Sequence, residues 1–330
     1  MNRRESTIAL LALGAAGMPF TSLAQKKDRL WRVGMVSVGT RVGNARYADA
    51  FLAGMKDHGY SAGRDLLFDS RYAEGNAARY PALVDEVLAL KPDALLGTSA
   101  NIALAMKGKT STVPIVMCTV SDAVGAGLAQ SLARPGGNVT GVSLQLHELS
   151  AKHIEIMAEL LPRLRNATLL IDLAQPKPLS EQYERIARAA AAAKGVSLEV
   201  LRVGSPEEVN GAFAQSEAKK VDALLLNPSP RFNTFRGDII KSAAKARLPT
   251  VGWEDSYPLD GGLVSYGPSF LEAYRRVAYF LDRIFKGAKP QDLPIEQPTK
   301  FDLVINARTA KTLGIVIPRS ILVRADRVIE

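Results

Sequence analysis

Apolar and polar positions follow two alternating periods along most of the chain. Residues 32–38 form a short apolar run that predicts a strand, and Tyr47, Phe51 and Met55 then recur at helical spacing until Gly59 ends the pattern. Residues 66–72 are strand-like, and apolar runs that predict further strands lie at 94–96, 114–120 and 169–171. Continuously apolar strands separated by helical segments indicate parallel sheets covered by helices on both faces.

A faint internal repeat divides this alternation into two halves. Residues 92–99, PDALLGTS, resemble residues 221–229, VDALLLNPS, and VPIV at 113–116 has a counterpart, LPTV, at 248–251. The order and approximate spacing of the two pairs are preserved. We interpret the chain as two similar α/β lobes, with chance similarity between short apolar strands as the alternative.

The first 24 residues have the pattern of a secretory signal peptide. Arg3 and Arg4 give a positive start, residues 8–18 are apolar, and SLA at 22–24 is a small-x-small cleavage motif. The apolar stretch is too short to span a membrane, and EST at 5–7 departs from a twin-arginine signal. The sequence therefore predicts a mature protein that begins at Gln25, lies in the periplasm and is not embedded in the membrane.

Composition and charge narrow the class of protein. The 330 residues are 47% hydrophobic and 23% charged, which is enough apolar material for about two domains with buried cores. The single cysteine, Cys118, excludes an intrachain disulfide and lies in an apolar run, as a buried, inert thiol would. The net charge of +9 comes from basic residues scattered among acidic ones, so we expect no nucleic-acid partner.

No catalytic or metal-binding pattern stands out in the sequence. His58, His147 and His153 lack the spacing of a zinc motif, and no serine elbow accompanies them, which favours structural roles. The glycines within residues 34–39 lack the third member of a dinucleotide fingerprint. We therefore expect no enzyme activity, no cofactor and no metal.

Candidate binding residues follow from the predicted parallel sheets. Ligands of such sheets bind beyond the carboxyl ends of the strands, where loops meet the N-termini of helices. Twelve candidates follow predicted strands in the two halves: Gly39, Thr40, Thr98, Ser99, Ser121, Asp122, Ala174, Pro228, Ser229, Trp253, Glu254 and Asp255. Helix capping is the alternative role for Thr98, Ser99 and Ser121, and core packing is the alternative for Trp253.

The chemistry of these loops suits a ligand with two opposite charges. The helix predicted after Ser99 offers N–H groups and a positive dipole end to a carboxylate, and the Thr98 and Ser99 hydroxyls add hydrogen bonds. Glu254 or Asp255 in the other half would receive an ammonium group. An amino acid is one candidate ligand, and the sequence does not name it.

Two long motifs carry a family resemblance. The first is SDAVGAGL at 121–128 with SLARPGGNVTGV at 131–142. The second consists of GGLVSYG at 261–267, PIEQPTKF at 294–301 and INARTAKTLG at 305–314. Together they resemble a bacterial family of ABC-transporter substrate-binding proteins, the family of tryptophan/tyrosine-type receptors, over about residues 31–330.

The resemblance implies a fold and a domain organisation. The fold is α/β, the type I periplasmic-binding-protein fold, with two Rossmann-like lobes that contain parallel sheets and are joined by a three-strand hinge. After the signal peptide of residues 1–24, the expected lobes are 25–141 plus about 267–298, and 142–266 plus about 299–330. The expected hinge residues are Thr140, Gly141, Tyr266 and Gly267. Ligand binding should shift the two lobes toward a closed form.

The resemblance also implies a function. The protein would be a monomer that binds a small molecule, such as an amino acid or another carboxylate, in the interlobe cleft and delivers it to an ABC transporter permease and its ATPase. Some members hold an aromatic amino acid by its carboxylate at the start of a first-lobe helix, and Thr98-Ser99-Ala100-Asn101 matches that position. A ligand-sensing periplasmic partner of a membrane receptor is the alternative, since the same closure can signal as well as deliver.

Overall fold

Two β-sheets, each flanked by helices, form the framework of the computed structural model, which describes residues 29–330. The predicted signal peptide, residues 1–24, lies outside the described residues. All five strands of the first sheet are parallel, in the order β2-β1-β3-β4-β5. They are β1 (Trp31–Ser37), β2 (Leu66–Tyr72), β3 (Ala94–Gly97), β4 (Ile115–Val120) and β5 (Val139–Ser143). Its helices along this part of the chain are α1 (Ala45–Asp57), α2 (Tyr80–Ala89) and α3 (Ala100–Lys109).

The second sheet has seven strands in the order β12-β11-β10-β9-β8-β6-β7, and within it β10 and β11 are antiparallel. The strands are β6 (Asn166–Asp172), β7 (Ser197–Val203), β8 (Ala223–Leu226), β9 (Thr250–Gly252), β10 (Val264–Pro268), β11 (Phe301–Asn306) and β12 (Arg327–Ile329). The remaining helices are α4 (Leu149–Leu160), α5 (Lys177–Ala193), α6 (Pro206–Ala218), α7 (Pro230–Thr234), α8 (Arg236–Ala246), α9 (Ser256–Leu259), α10 (Phe270–Phe285), α11 (Ala307–Leu313) and α12 (Arg319–Arg324).

The two sheets repeat one strand order. The series β2-β1-β3-β4-β5 corresponds position by position to β7-β6-β8-β9-β10. The similar segments 92–99 and 221–229 contain β3 and β8, which occupy the same place in the two series. Both strands are completely buried, which explains why they are continuously apolar in sequence. The predicted α/β fold with two lobes of mainly parallel sheet is confirmed.

Helix α1 illustrates how the sequence forms the first lobe. Tyr47, Phe51 and Met55 recur on one face of the helix and are buried, and Gly59 follows its end with φ +92°, a left-handed conformation that suits glycine. The buried face packs against α10, where the Tyr47 and Tyr274 rings stack with centroids 5.1 Å apart. The late helix α10 thus returns to the first lobe and holds α1 in place.

The chain passes between the sheets after β5, after β10 and before β11. Thr140 and Gly141 lie in β5, and Tyr266 and Gly267 lie in β10, so these four residues belong to strands that lead into the crossings. A Cβ atom on Gly141, which has φ +126°, would lie 2.2 Å from the Met117 carbonyl oxygen, and one on Gly267 would lie 1.9 Å from the Trp253 carbonyl oxygen. Neighbouring backbone therefore requires glycine at both positions.

Among residues 29–330, no helix is both long enough and apolar enough to cross a membrane.

Candidate functional site

A cleft between the two lobes contains two adjoining chambers. Chamber A and chamber B adjoin each other, because Val38, Thr119 and Pro230 line both. The other residues that line chamber A are Tyr80, Ser99, Ala100, Asn101, Ser121, Leu146, Asp172, Ala174, Gln175, Pro176, Leu179, Pro228 and Arg231. Because these residues come from loops and helix ends of both lobes, a ligand in chamber A would contact both.

The start of α3 forms one wall of chamber A. Ser99 precedes the helix in an extended conformation, and its Oγ accepts a hydrogen bond of 3.2 Å from the Ile102 N–H. Ala100 and Asn101 are the first two residues of the helix, where backbone N–H groups have no acceptor within the helix. Both residues line the chamber, so this wall presents the positive end of a helix to a ligand.

A buried ion pair forms the opposite wall. The Asp172 carboxylate, at the end of β6, is 2% exposed and accepts hydrogen bonds from Arg231 Nη1 at 3.1 Å and from the Ala174 N–H at 2.9 Å. Its other oxygen accepts a hydrogen bond from the Ser229 hydroxyl. Asp172 and Arg231 are the charged residues that line chamber A and they neutralise each other, so the positive end of α3 has no matching negative charge in the lining.

The remaining lining of chamber A is mainly apolar. Val38, Leu146 and Leu179 face it together with three prolines and Tyr80. Tyr80 is 6% exposed, and burial raises the pKa of its phenol to about 12, so the ring is neutral. The chamber can therefore surround an apolar group next to the two polar walls.

Chamber B is lined mainly by uncharged polar and aromatic side chains. The residues that line it, apart from the shared ones, are Ser37, Gly39, Thr40, Gly43, Asn44, Tyr47, Thr98, Asn233, Thr234, Arg236, Gly237, Phe270 and Tyr274. The Arg236 guanidinium is the charged group of this set, and it is paired at 2.7 Å with Asp260. Chamber B therefore offers hydrogen bonds without an unbalanced charge.

The structure brings most of the predicted site residues to the cleft. Ser99, Ala100, Ser121, Ala174 and Pro228 line chamber A, and Gly39, Thr40 and Thr98 line chamber B. Asp122 instead caps a turn, since its Oδ1 accepts hydrogen bonds from the N–H groups of residues 124 and 125. Ser229 caps the N-terminus of α7, and its hydroxyl donates a hydrogen bond to the Asp172 carboxylate from outside the lining.

Trp253, Glu254 and Asp255 do not line either chamber. Trp253 is 3% exposed and belongs to the hydrophobic core, which was its alternative role. Glu254 accepts a hydrogen bond from the Tyr47 hydroxyl, and Asp255 forms an ion pair of 3.1 Å with Arg46. Both carboxylates thus contact the first lobe, and this arrangement does not support either as the partner of a ligand ammonium.

Sequence reasoning missed several residues of chamber A, most importantly Tyr80 and Arg231. Asp172 is the last residue of an apolar strand, a position that marks it as a candidate in a parallel sheet. Arg231 follows the Ser-Pro start of a short helix, and Tyr80 begins α2. Neither position follows a strand directly, so only the tertiary structure shows that they face the cleft.

Comparison with known proteins identifies the family of the chain. A family model described as ABC transporter substrate binding protein matches residues 42–329, and the chain belongs to this family. A tyrosine-binding protein of Clostridioides difficile (strain R20291) is 24% identical over 274 residues, which cover 80% of this chain and 75% of that protein. The predicted class of substrate-binding protein is confirmed, and the family consists of solute-binding proteins, not enzymes.

Solved structures show the same fold. The structure of an ABC domain in complex with L-Trp from Streptococcus pneumoniae has a TM-score of 0.83 and 24% identity, and covers 91% of this chain and 99% of that one. A conserved domain protein from Vibrio cholerae also has a TM-score of 0.83, with 27% identity over 91% of this chain and 100% of that one. The type I periplasmic-binding-protein fold is therefore confirmed.

Proposed function

We propose that the protein is a periplasmic receptor that binds a small carboxylate in chamber A and delivers it to an ABC transporter permease and its ATPase. The observation that carries this proposal is the placement of the α3 N-terminus and the Asp172–Arg231 pair on facing walls of one interlobe chamber. The names of the relatives, a tyrosine-binding protein and an L-Trp complex, support an amino acid as the ligand. Residues 1–24 would be removed on export.

The charges of chamber A define how such a ligand would lie. Its carboxylate would accept hydrogen bonds from the N–H groups of Ala100 and Asn101 and from the Ser99 hydroxyl. An ammonium group would lie beside the Asp172–Arg231 pair, where Asp172, and not Glu254 or Asp255, is the carboxylate that lines the chamber. The apolar part of the ligand would contact Val38 and Tyr80. Closure of the lobes would occur about the crossings next to Gly141 and Gly267.

Identification of the bound molecule is the direct test of this function. Protein purified from the periplasm is expected to release a small carboxylate that native mass spectrometry detects, and L-tyrosine and L-tryptophan are the first compounds to titrate by calorimetry. Binding of a compound without a carboxylate, unaffected by substitutions in chamber A, would contradict the proposed site.

The Ser99→Ala substitution separates ligand binding from helix capping. We expect it to lower affinity for the carboxylate by about 10-fold or more, because a hydrogen bond to a charged group contributes about 1.5–3 kcal/mol. Ser205→Ala is the matched control, since Ser205 caps α6 with a hydrogen bond of the same 3.2 Å length, away from both chambers. Both variants should lose about 1 kcal/mol of unfolding free energy. Equal affinities in the two variants would assign Ser99 to capping alone.

A further inference from the structure

Outside chamber A, two pairs of side chains join the two lobes. Arg46 and Tyr47 lie in the first turn of α1, in the first lobe, and Glu254 and Asp255 follow β9 in the second lobe. The Tyr47 hydroxyl donates a hydrogen bond to Glu254 Oε1, and Arg46 Nη2 lies 3.1 Å from both carboxylate oxygens of Asp255. We name these four residues the interlobe clasp.

The Tyr47–Glu254 contact is the buried part of the clasp. The exposed fractions of Tyr47 and Glu254 are 7% and 3%. Glu254 Oε2 accepts a hydrogen bond of 2.7 Å from Asn233 Nδ2, which belongs to the same lobe as Glu254. Asn233 lies in the same lobe as Glu254, whereas Tyr47 lies in the other. With the lobes in contact as in this structure, a buried carboxylate therefore depends on the other lobe for one of its hydrogen bonds.

The Arg46–Asp255 contact is the exposed part of the clasp. About one third of each side chain is exposed, 33% for Arg46 and 34% for Asp255. The Arg46 guanidinium also lies 5.5 Å from the centre of the Tyr47 ring. Solvent weakens such an ion pair, so we assign the larger share of the attraction within the clasp to Tyr47 and Glu254.

None of the four clasp residues lines chamber A, and Tyr47 alone lines chamber B. We propose that the clasp residues are positioning residues that stabilise the closed form and thereby set ligand affinity without contacting a ligand in chamber A. The affinity of a ligand that needs both lobes falls in proportion to the population of the closed form. A weaker clasp therefore raises the dissociation constant and speeds ligand release. This effect on affinity rests on the proposed function, but the effect on closure does not.

The test replaces Tyr47 by phenylalanine, which removes only the hydroxyl group. Tyr60→Phe is the matched control, because the Tyr60 hydroxyl also donates to a buried carboxylate, Asp282 Oδ1 at 3.2 Å, but within one lobe. Spin labels on cysteines introduced at Ser111 and Lys241, both exposed and in different lobes, report the distance between the lobes. The distance is measured without ligand and with L-tyrosine or L-tryptophan, and stopped-flow kinetics measure release of whichever amino acid binds.

We expect Tyr47→Phe to increase the population of long interlobe distances and to speed release of the amino acid by about 10-fold, while Tyr60→Phe leaves both unchanged. Arg46→Gln, at an exposed position, should give a smaller change in the same direction. Loss of thermal stability without a change in distance would show a merely structural role for Tyr47.

Two outcomes distinguish failure of the clasp from failure of the proposed function. Distance distributions and release rates of Tyr47→Phe that equal those of the wild type would overturn the clasp. If neither amino acid binds the wild-type protein, the proposed amino-acid ligand fails, and the distance measurement alone then decides whether the clasp holds the lobes together.

Discussion

The Asp172→Ala variant is expected to lose about 3–5 kcal/mol of unfolding free energy and to lose ligand binding in chamber A. The carboxylate is 2% exposed, and its removal leaves the Arg231 guanidinium, 14% exposed, without a counter-ion. The Ala174 N–H and the Ser229 hydroxyl lose their acceptor at the same time. Urea unfolding followed by tryptophan fluorescence measures the loss, since the sequence contains two tryptophans.

Asp260→Ala is the matched control for this prediction. Asp260 pairs with Arg236 at 2.7 Å, which is shorter than the 3.1 Å between Asp172 and Arg231, but its side chain is 50% exposed. We expect a loss of less than about 1 kcal/mol, because water replaces an exposed partner. Similar losses in the two variants would show that burial does not determine how much the Asp172–Arg231 pair contributes to the free energy of unfolding.

A double variant separates stability from binding. Replacement of both Asp172 and Arg231 by leucine removes the unpaired charge together with its partner, so unfolding free energy should recover relative to Asp172→Ala. Ligand binding should not recover, because chamber A then has no group to receive an ammonium. Recovered binding in the double variant would show that the ligand does not depend on the wall formed by Asp172 and Arg231.

The fold was largely predictable from the sequence because buried parallel strands are apolar on both faces. The run at 94–96 lies in β3 and the run at 114–120 contains β4, and both strands are buried along their whole length. The repeat of 92–99 and 221–229 placed β3 and β8 in equivalent positions of two sheets. These features depend on local sequence, so the spacing of apolar residues along the chain predicts them.

The site was predictable only where a residue lies within a few positions of the end of a strand. Ser99 and Ala174 each lie two positions beyond a strand, and they line chamber A. Glu254 also follows a strand, but its partner Tyr47 is 207 positions away, and no local pattern distinguishes a carboxylate that binds a ligand from one that binds the other lobe. Trp253 also follows a strand, but its side chain packs in the hydrophobic core, and no local pattern separates that role from ligand contact.

His153 is a buried titratable group close to one of the crossings. The sequence favours a structural role for it, and the structure shows its imidazole completely buried in α4. Its Nε2 lies 2.8 Å from the carbonyl oxygen of Tyr266 in β10, and its Nδ1 lies 3.3 Å from the Tyr183 hydroxyl. Burial lowers the pKa of His153 to about 4, so the ring is neutral at pH 7.

The buried imidazole predicts a loss of stability in mild acid. The unfolded chain takes up a proton at this histidine near pH 6.5, whereas the folded protein resists protonation down to about pH 4. The contribution of His153 to the free energy of unfolding is therefore complete above about pH 6.5, and it falls by about 3 kcal/mol as the pH decreases to about 4. Urea unfolding at several pH values between 7 and 4 measures this dependence.

The His153→Gln variant, which cannot take up this proton, should show a flatter dependence of unfolding free energy on pH than the wild type. The difference between the curves of His153→Gln and the wild type isolates the contribution of His153 from those of the carboxyl groups that titrate in the same range. Parallel curves for the two proteins would show that protonation of His153 does not destabilise the fold.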